Sequence, residues 1–180
     1  MPTPDPPAPP RAHARQLTFE ALYERYSPEV YRFALWLTGD PHDARDITSE
    51  TFVRAWTTPD EPQAASMKAY LLAIATNLHR RQSRRAARQR PLDETAVAAA
   101  RPVSPTTSPE ASAQQRETFQ RAFDALQRLP ELDRTILLLR AERDLSYQDI
   151  AAATGLSAAA ARVRVFRARA ALASLLHIPT

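Results

Sequence analysis

Apolar residues in this chain recur at three- and four-residue spacings and nowhere alternate for long, so the sequence predicts helices and no sheet. Phe19, Leu22, Tyr23, Tyr26, Val30, Phe33, Ala34 and Leu37 fall on one stripe. Pro28 sits inside that stripe. With Ser27 as a cap, it predicts a break, the proline taking the first turn of a new helix. Gly39 then offers a left-handed stop, Asp40 a cap and Pro41 a first-turn residue. The next helix runs to about Thr57 and buries Ala44, Ile47, Phe52, Ala55 and Trp56. A loop with Pro59 and Pro62 leads to Ser66, which caps a third long helix. This one buries Tyr70, Leu71, Ile74 and Leu78, then turns into an arginine run.

The pattern resumes after residue 112. Phe119, Ala122, Phe123, Leu126 and Leu129 form a stripe ended by Pro130, and a helix with Ile136, Leu137 and Leu139 follows. Ser146-Tyr147-Gln148-Asp149 is close to a capping box, with Asp in place of Glu or Gln. It opens a short helix ending at Thr154-Gly155-Leu156. Ser157 caps a last helix that buries Ala161, Val165, Ala168, Leu172 and Leu176. Two low-complexity stretches divide the chain. Residues 1–16 read as a disordered Pro-rich arm and residues 91–112 as a flexible linker. The expected architecture is all-α: two small helical modules, 17–90 and 113–180, the second a helix-turn-helix.

Composition removes most enzyme classes. There is no cysteine, hence no thiol chemistry, no disulfide and no thiolate metal site. The only two glycines, Gly39 and Gly155, are too far apart for a phosphate loop. His13, His42, His79 and His177 are scattered without metal-ligand spacing. Neither a catalytic site, nor a metal, nor a cofactor is expected. Apolar runs fall well short of the roughly 20 residues a membrane span needs, so no membrane insertion is expected. The amino terminus lacks the apolar segment of a signal peptide.

Charge is segregated along the chain. Residues 19–60 hold eight acids against four arginines, whereas 61–90 hold one acid against Lys68 and six arginines. An acidic block followed by a basic one points to two surfaces with different partners. Asp43, Asp46 and Glu50 form an acidic stripe opposite Ile47 and Phe52. No second carboxylate cluster accompanies them, so they read either as complements to the helix dipole or as a docking face for a basic partner. Arg80, Arg81, Arg84, Arg85 and Arg88 gather on one helix. This suits a nucleic-acid backbone, with Asn77 and His79 one turn earlier able to reach bases. The plainer reading is a solvated helix end. The capped pair of helices from Ser146 to Arg169, joined by a tight turn with one glycine, is a helix-turn-helix pattern. Its second helix bears Arg162, Arg164, Arg167 and Arg169 as phosphate contacts, or as an ordinary solvated face. Trp36, Trp56 and the Phe/Tyr stripe read as core rather than as a base-stacking platform.

Several motifs in one order make a resemblance specific. The string from Phe19 to Ala34 looks like the opening of the N-terminal module of extracytoplasmic-function sigma factors. Asp43 to Trp56 resembles that family's core-polymerase-binding helix, and Lys68 to Leu78 with the following arginines resembles its promoter-melting helix. Leu129 to Arg140 and Leu145 to Ala151 resemble its C-terminal module. The resemblance implies that Asp43, Asp46, Ser49 and Glu50 dock on the core enzyme of bacterial RNA polymerase. It implies that Asn77, Arg80, Arg81, Arg84, Arg85 and Arg88 hold the −10 element as it melts, helped by the loop Thr57–Ser66. It also implies that Ser157, Ala158, Ala159, Arg162, Val163, Phe166, Arg167 and Arg169 read the −35 element of promoter DNA.

By helical phase, Ala158, Ala159, Arg162, Val163 and Phe166 face the groove. Arg162 alone among them can donate to a guanine edge. Ser49 stands where the family usually has Gln, and Ala158 to Ala161 where it commonly has a Gly-Thr-Val-type sequence. Readout at −35 is therefore expected to lean on phosphates and DNA shape. The chain stops soon after the recognition helix, so an inhibitor is expected to act in trans; the resemblance implies an anti-sigma factor, and the protein itself is expected in the cytoplasm. The rival readings are a stand-alone helix-turn-helix regulator independent of polymerase, and a helical adaptor that binds proteins only.

Overall fold

The computed structural model describes residues 18–57, 66–89, 113–142 and 145–177. The arm at 1–16, the linker at 91–112, most of the loop Thr57–Ser66 and Arg90 lie outside the described residues. Every regular element among the described residues is a helix: α1 Phe19–Thr38, α2 Pro41–Thr57, α3 Met67–Gln89, α4 Ala113–Gln127, α5 Glu131–Ala141, α6 Tyr147–Thr154 and α7 Ala158–Leu176.

Helix α1 is unbroken, so the expected interruption at Pro28 is corrected. Proline removes one backbone hydrogen bond and costs a helix interior roughly 3 kcal/mol. Here Pro28 and Glu24, whose carbonyl loses its partner, are both exposed, so that carbonyl can turn to water. Leu22 lies before the proline and Val30, Phe33, Ala34 and Leu37 after it, all buried on one face. Burial of that common face holds the two halves in line. The helix ends at Gly39, whose φ of 79° is left-handed and whose N–H donates to the Leu35 carbonyl. Asp40 Oδ1 then accepts from the backbone N–H groups of His42 and Asp43, at 2.7 and 3.0 Å, and starts α2.

The caps of the second half are in place. Ser146 and Asp149 form the complete reciprocal capping box of α6. Gly155 closes that helix at φ 77°, and the Ser157 hydroxyl accepts from the Ala160 N–H to start α7. Ala161, Val165 and Ala168 are buried along α7, while Leu172 and Leu176 are only half-buried.

The two halves close on each other. One apolar core runs from Leu22 and Phe52 through Leu71 and Leu72 to Ile136, Ile150, Ala161 and Val165. Helix α3 packs on α6, and α1 packs on both α4 and α5. Trp36 of α1 lies edge-on to Phe119 of α4 at 4.8 Å and near Phe123 at 5.3 Å. The Gln127 amide donates to the Trp36 carbonyl at 2.8 Å, and Arg134 donates to the Leu37 carbonyl at 2.8 Å. Arg134 also bonds Gln127 Oε1. At the far end of α5, Lys68 of α3 bridges Glu142 at 2.6 Å and Glu29 at 3.0 Å, with Arg32 at 3.7 Å from Glu142. Burial lowers the Lys68 pKa, but its hydrogen bonds to Glu142 and Glu29 outweigh that effect and hold it above 10.5.

Candidate functional site

The acidic stripe lies on the outer face of α2. Asp43, Asp46, Ser49 and Glu50 are all exposed, and Ala44, Ile47, Thr48, Thr51 and Phe52 are buried behind them. The spacing produces this directly, because one helical face supplies the core and the other meets water. Two of the acids are engaged along the helix: Glu50 accepts from Arg54 at 2.7 Å, and Asp46 lies 3.3 Å from His42. These are surface i,i+4 contacts of a few tenths of a kcal/mol, about 0.3–0.5 for an ion pair. A partner can displace them.

The arginine run of α3 divides by helical phase. Arg81, Arg84, Arg85 and Arg88 are exposed on one side and have no ion-pair partner among the described residues. Arg80 is turned inward. It donates to Asn77 Oδ1 at 2.7 Å and reaches the Thr154 carbonyl at the end of α6 at 3.4 Å. A cation over the last carbonyls of a helix complements its dipole, so Arg80 serves as an outside cap of α6. His79 is likewise inward. Its side chain is 13% exposed, with Nε2 3.7 Å from Glu131, which corrects the reading of His79 as a residue that reaches bases. Burial lowers its pKa from the ordinary 6.5; Glu131 raises it, Arg134 lowers it and Asp43 raises it, with a downward net.

Trp56 is a second correction. It is 53% exposed and edge-on to Phe19 at 5.7 Å, with Val53 and Tyr23 exposed nearby in sequence on α2 and α1. At the carboxyl end of α2, no element among the described residues covers it.

On α7 the residues expected to face DNA stand together on the outward half of the helix. Ala159, Arg162, Val163, Phe166, Arg167 and Arg169 are exposed, Ala158 is half-buried, and Ser157 uses its hydroxyl as the cap. Val163 is 52% and Phe166 75% exposed, a large apolar surface on an arginine-bearing helix. Arg164 differs from its neighbours, since its Nε donates to Asp133 of α5 at 2.6 Å. Its expected role as a phosphate contact is thereby corrected to a tie between helices. Arg162 lies with its guanidinium carbon 5.1 Å from the centre of the Tyr147 ring. Sequence reading assigned Tyr147 no role. Its place immediately after the Ser146 cap was visible, but its contact with α7 depends on how α6 and α7 cross.

Two family descriptions match these two halves: Sigma-70 region 2 over residues 22–89, and Sigma-70, region 4 over residues 119–172. Over 152 residues the chain is 31% identical to the ECF RNA polymerase sigma factor EcfG of Rhodopseudomonas palustris, a match covering 84% of this chain and 81% of that protein. The chain belongs to the ECF sigma factor family. It is also 31% identical over 156 residues to the ECF RNA polymerase sigma factor SigE of Mycolicibacterium smegmatis; the match takes in 84% of this chain and spans 59% of that relative's length. Among solved structures, the sigma factor RpoE of Bartonella quintana, in complex with the anti-sigma factor NepR, superposes with a TM-score of 0.69 at 25% identity. That superposition covers 90% of this chain and 98% of RpoE. Nearly all of α1 to α3 of this ECF sigma factor falls within its region 2 and most of α4 to α7 within its region 4. A region 2 match disfavours the reading as a stand-alone helix-turn-helix regulator. No helix among the described residues is long and apolar enough to cross a membrane.

Proposed function

We propose that this ECF sigma factor directs core RNA polymerase to specific promoters in the bacterial cytoplasm. The exposed acidic stripe Asp43, Asp46, Ser49 and Glu50 is the surface offered to the core enzyme. The observation that carries the reading is its separation from the arginine faces: acids line α2, while Arg81, Arg84, Arg85 and Arg88 line α3 and Arg162, Arg167 and Arg169 line α7. Opposite charge on adjacent helices suits a protein that holds a basic partner and DNA at once.

In this reading α3 holds the −10 element and α7 reads the −35 element in the major groove. The protein supplies recognition and strand capture, and the polymerase does the chemistry. Asn77 accepts from Arg80, and Arg80 also donates to the Thr154 carbonyl of α6, so contact of this pair with −10 DNA requires α6 to leave α3. By likeness to the RpoE–NepR pair, an anti-sigma factor is the proposed inhibitor.

The double variant Asp46→Arg, Glu50→Arg tests the docking face. These side chains are 59% and 47% exposed, so the stability change is expected to stay below about 1 kcal/mol. Binding to core polymerase in a pull-down is expected to be lost. A folded double variant that binds core normally would show that the acids are only a solvated face.

A further inference from the structure

We propose that Tyr147 is a positioning residue for Arg162, its ring setting the guanidinium in place before DNA arrives. The proposal rests on the reading that α7 presents Arg162 to the −35 element. Three helices converge at this ring. Arg162 comes from the second turn of α7, Arg140 from the end of α5, and Tyr147 opens α6. The two guanidinium carbons lie 5.1 and 5.3 Å from the centre of the same ring. Neither arginine has an ion-pair partner among the described residues. Two unpaired cations thus share one aromatic ring, and Arg162, exposed on α7, keeps its charge for an incoming anion or guanine edge.

The mount is rigid. The Ser146 N–H donates to Asp149 Oδ2 at 2.9 Å, and the Ser146 hydroxyl accepts from the Asp149 N–H at 3.2 Å. This fixes the backbone on both sides of Tyr147, and the half-buried ring also packs against the main core. Behind it, the Arg164–Asp133 bond holds α7 against α5. A guanidinium that stacks by its face keeps its N–H donors in plane, where guanine O6 and N7 can accept them. The contact with the Tyr147 ring therefore orders Arg162 without using up the donors that read a base. Within the first two turns of α7 the other guanidinium, Arg164, is tied to Asp133, so the placement of Arg162 decides the selectivity of that position.

The test is selection of −35 sequences from a random library by core polymerase carrying the full chain. Arg162→Ala is expected to flatten the base preference at one or two positions. Tyr147→Leu is expected to weaken preference at those same positions by about two- to five-fold, the range of an exposed cation–π contact. Tyr147→Phe, which keeps the π-face, is expected to restore it. The double variant Tyr147→Leu, Arg162→Ala is expected to match Arg162→Ala alone. If Arg162→Ala flattens the profile and Tyr147→Leu leaves it unchanged, the positioning role is overturned and the −35 reading stands. If Arg162→Ala itself leaves the profile unchanged, the base-reading assignment fails and the positioning role falls with it. A measurement on the unmodified chain guards against a leucine variant that does not fold. Ring current from Tyr147 should move the Arg162 δ-methylene protons upfield in its NMR spectrum, and unshifted protons would overturn the stack.

Discussion

Gly39 is held to glycine by two separate constraints. Its φ of 79° is a conformation that costs other residues about 1–2 kcal/mol, and a Cβ there would lie 2.8 Å from Gln127 Oε1. Gln127 cannot easily give way, because it bonds the Trp36 carbonyl and Arg134. Gly155 has the same backbone strain at φ 77° but open space, with Arg80 Nη1 3.9 Å away. Gly39→Ala is therefore expected to destabilise the chain more than Gly155→Ala in urea unfolding. The difference would be about 1 kcal/mol or more, as the contact joins the strain. Equal losses would mean that the Gln127 contact relaxes without penalty. The arginines teach a related lesson. Sequence spacing identified where they cluster, yet Arg80, Arg134 and Arg164 are taken up by Thr154, Leu37 and Asp133, each from a distant element. A charge is visible in a sequence, but the acceptor that neutralises it comes from the tertiary fold.

At the scale of elements, local chemistry was legible where it is self-contained. The stop at Gly39 and the caps at Asp40, Ser66, Ser146 and Ser157 each depend on residues within one turn. Pro28 was misread because its effect is decided by a core that spans both halves of α1. Trp56 was misread because helical phase places it near the core without saying that α2 ends before anything covers it. His79 was misread because its environment is made by α5, a different module. That burial carries a pH consequence. His79 is neutral-favouring when folded, with Glu131, Arg134 and Asp43 as its charged neighbours. Its contribution to stability is complete above the ordinary 6.5 and is lost as the pH falls through its lower folded value. Lowering the pH from about 7.5 to about 5.5 is expected to reduce the urea midpoint, and His79→Leu to flatten that dependence. The same slope in both proteins would assign the titration to other groups.

At the scale of the whole molecule, the sequence pattern predicts two modules and a linker, and it carries no sign that the two helical sets share one core. Neither module's pattern records its partner: the stripes of α3 and α6 read equally well as faces of two separate bundles. The structure closes them through apolar contact, through Lys68 between Glu29 and Glu142, and through Arg134 on the carbonyl end of α1. The proposed function also places Asn77 and Arg80 on −10 DNA, so α6 must leave α3 for that contact to form. The most direct test of that function is run-off transcription from fragments of the source genome, with core polymerase alone and with core polymerase plus this chain. The account predicts that transcripts start at defined sites only when the chain is present, and that those sites share −10 and −35 elements. It is contradicted if the chain binds duplex DNA without polymerase yet adds no transcript from any fragment.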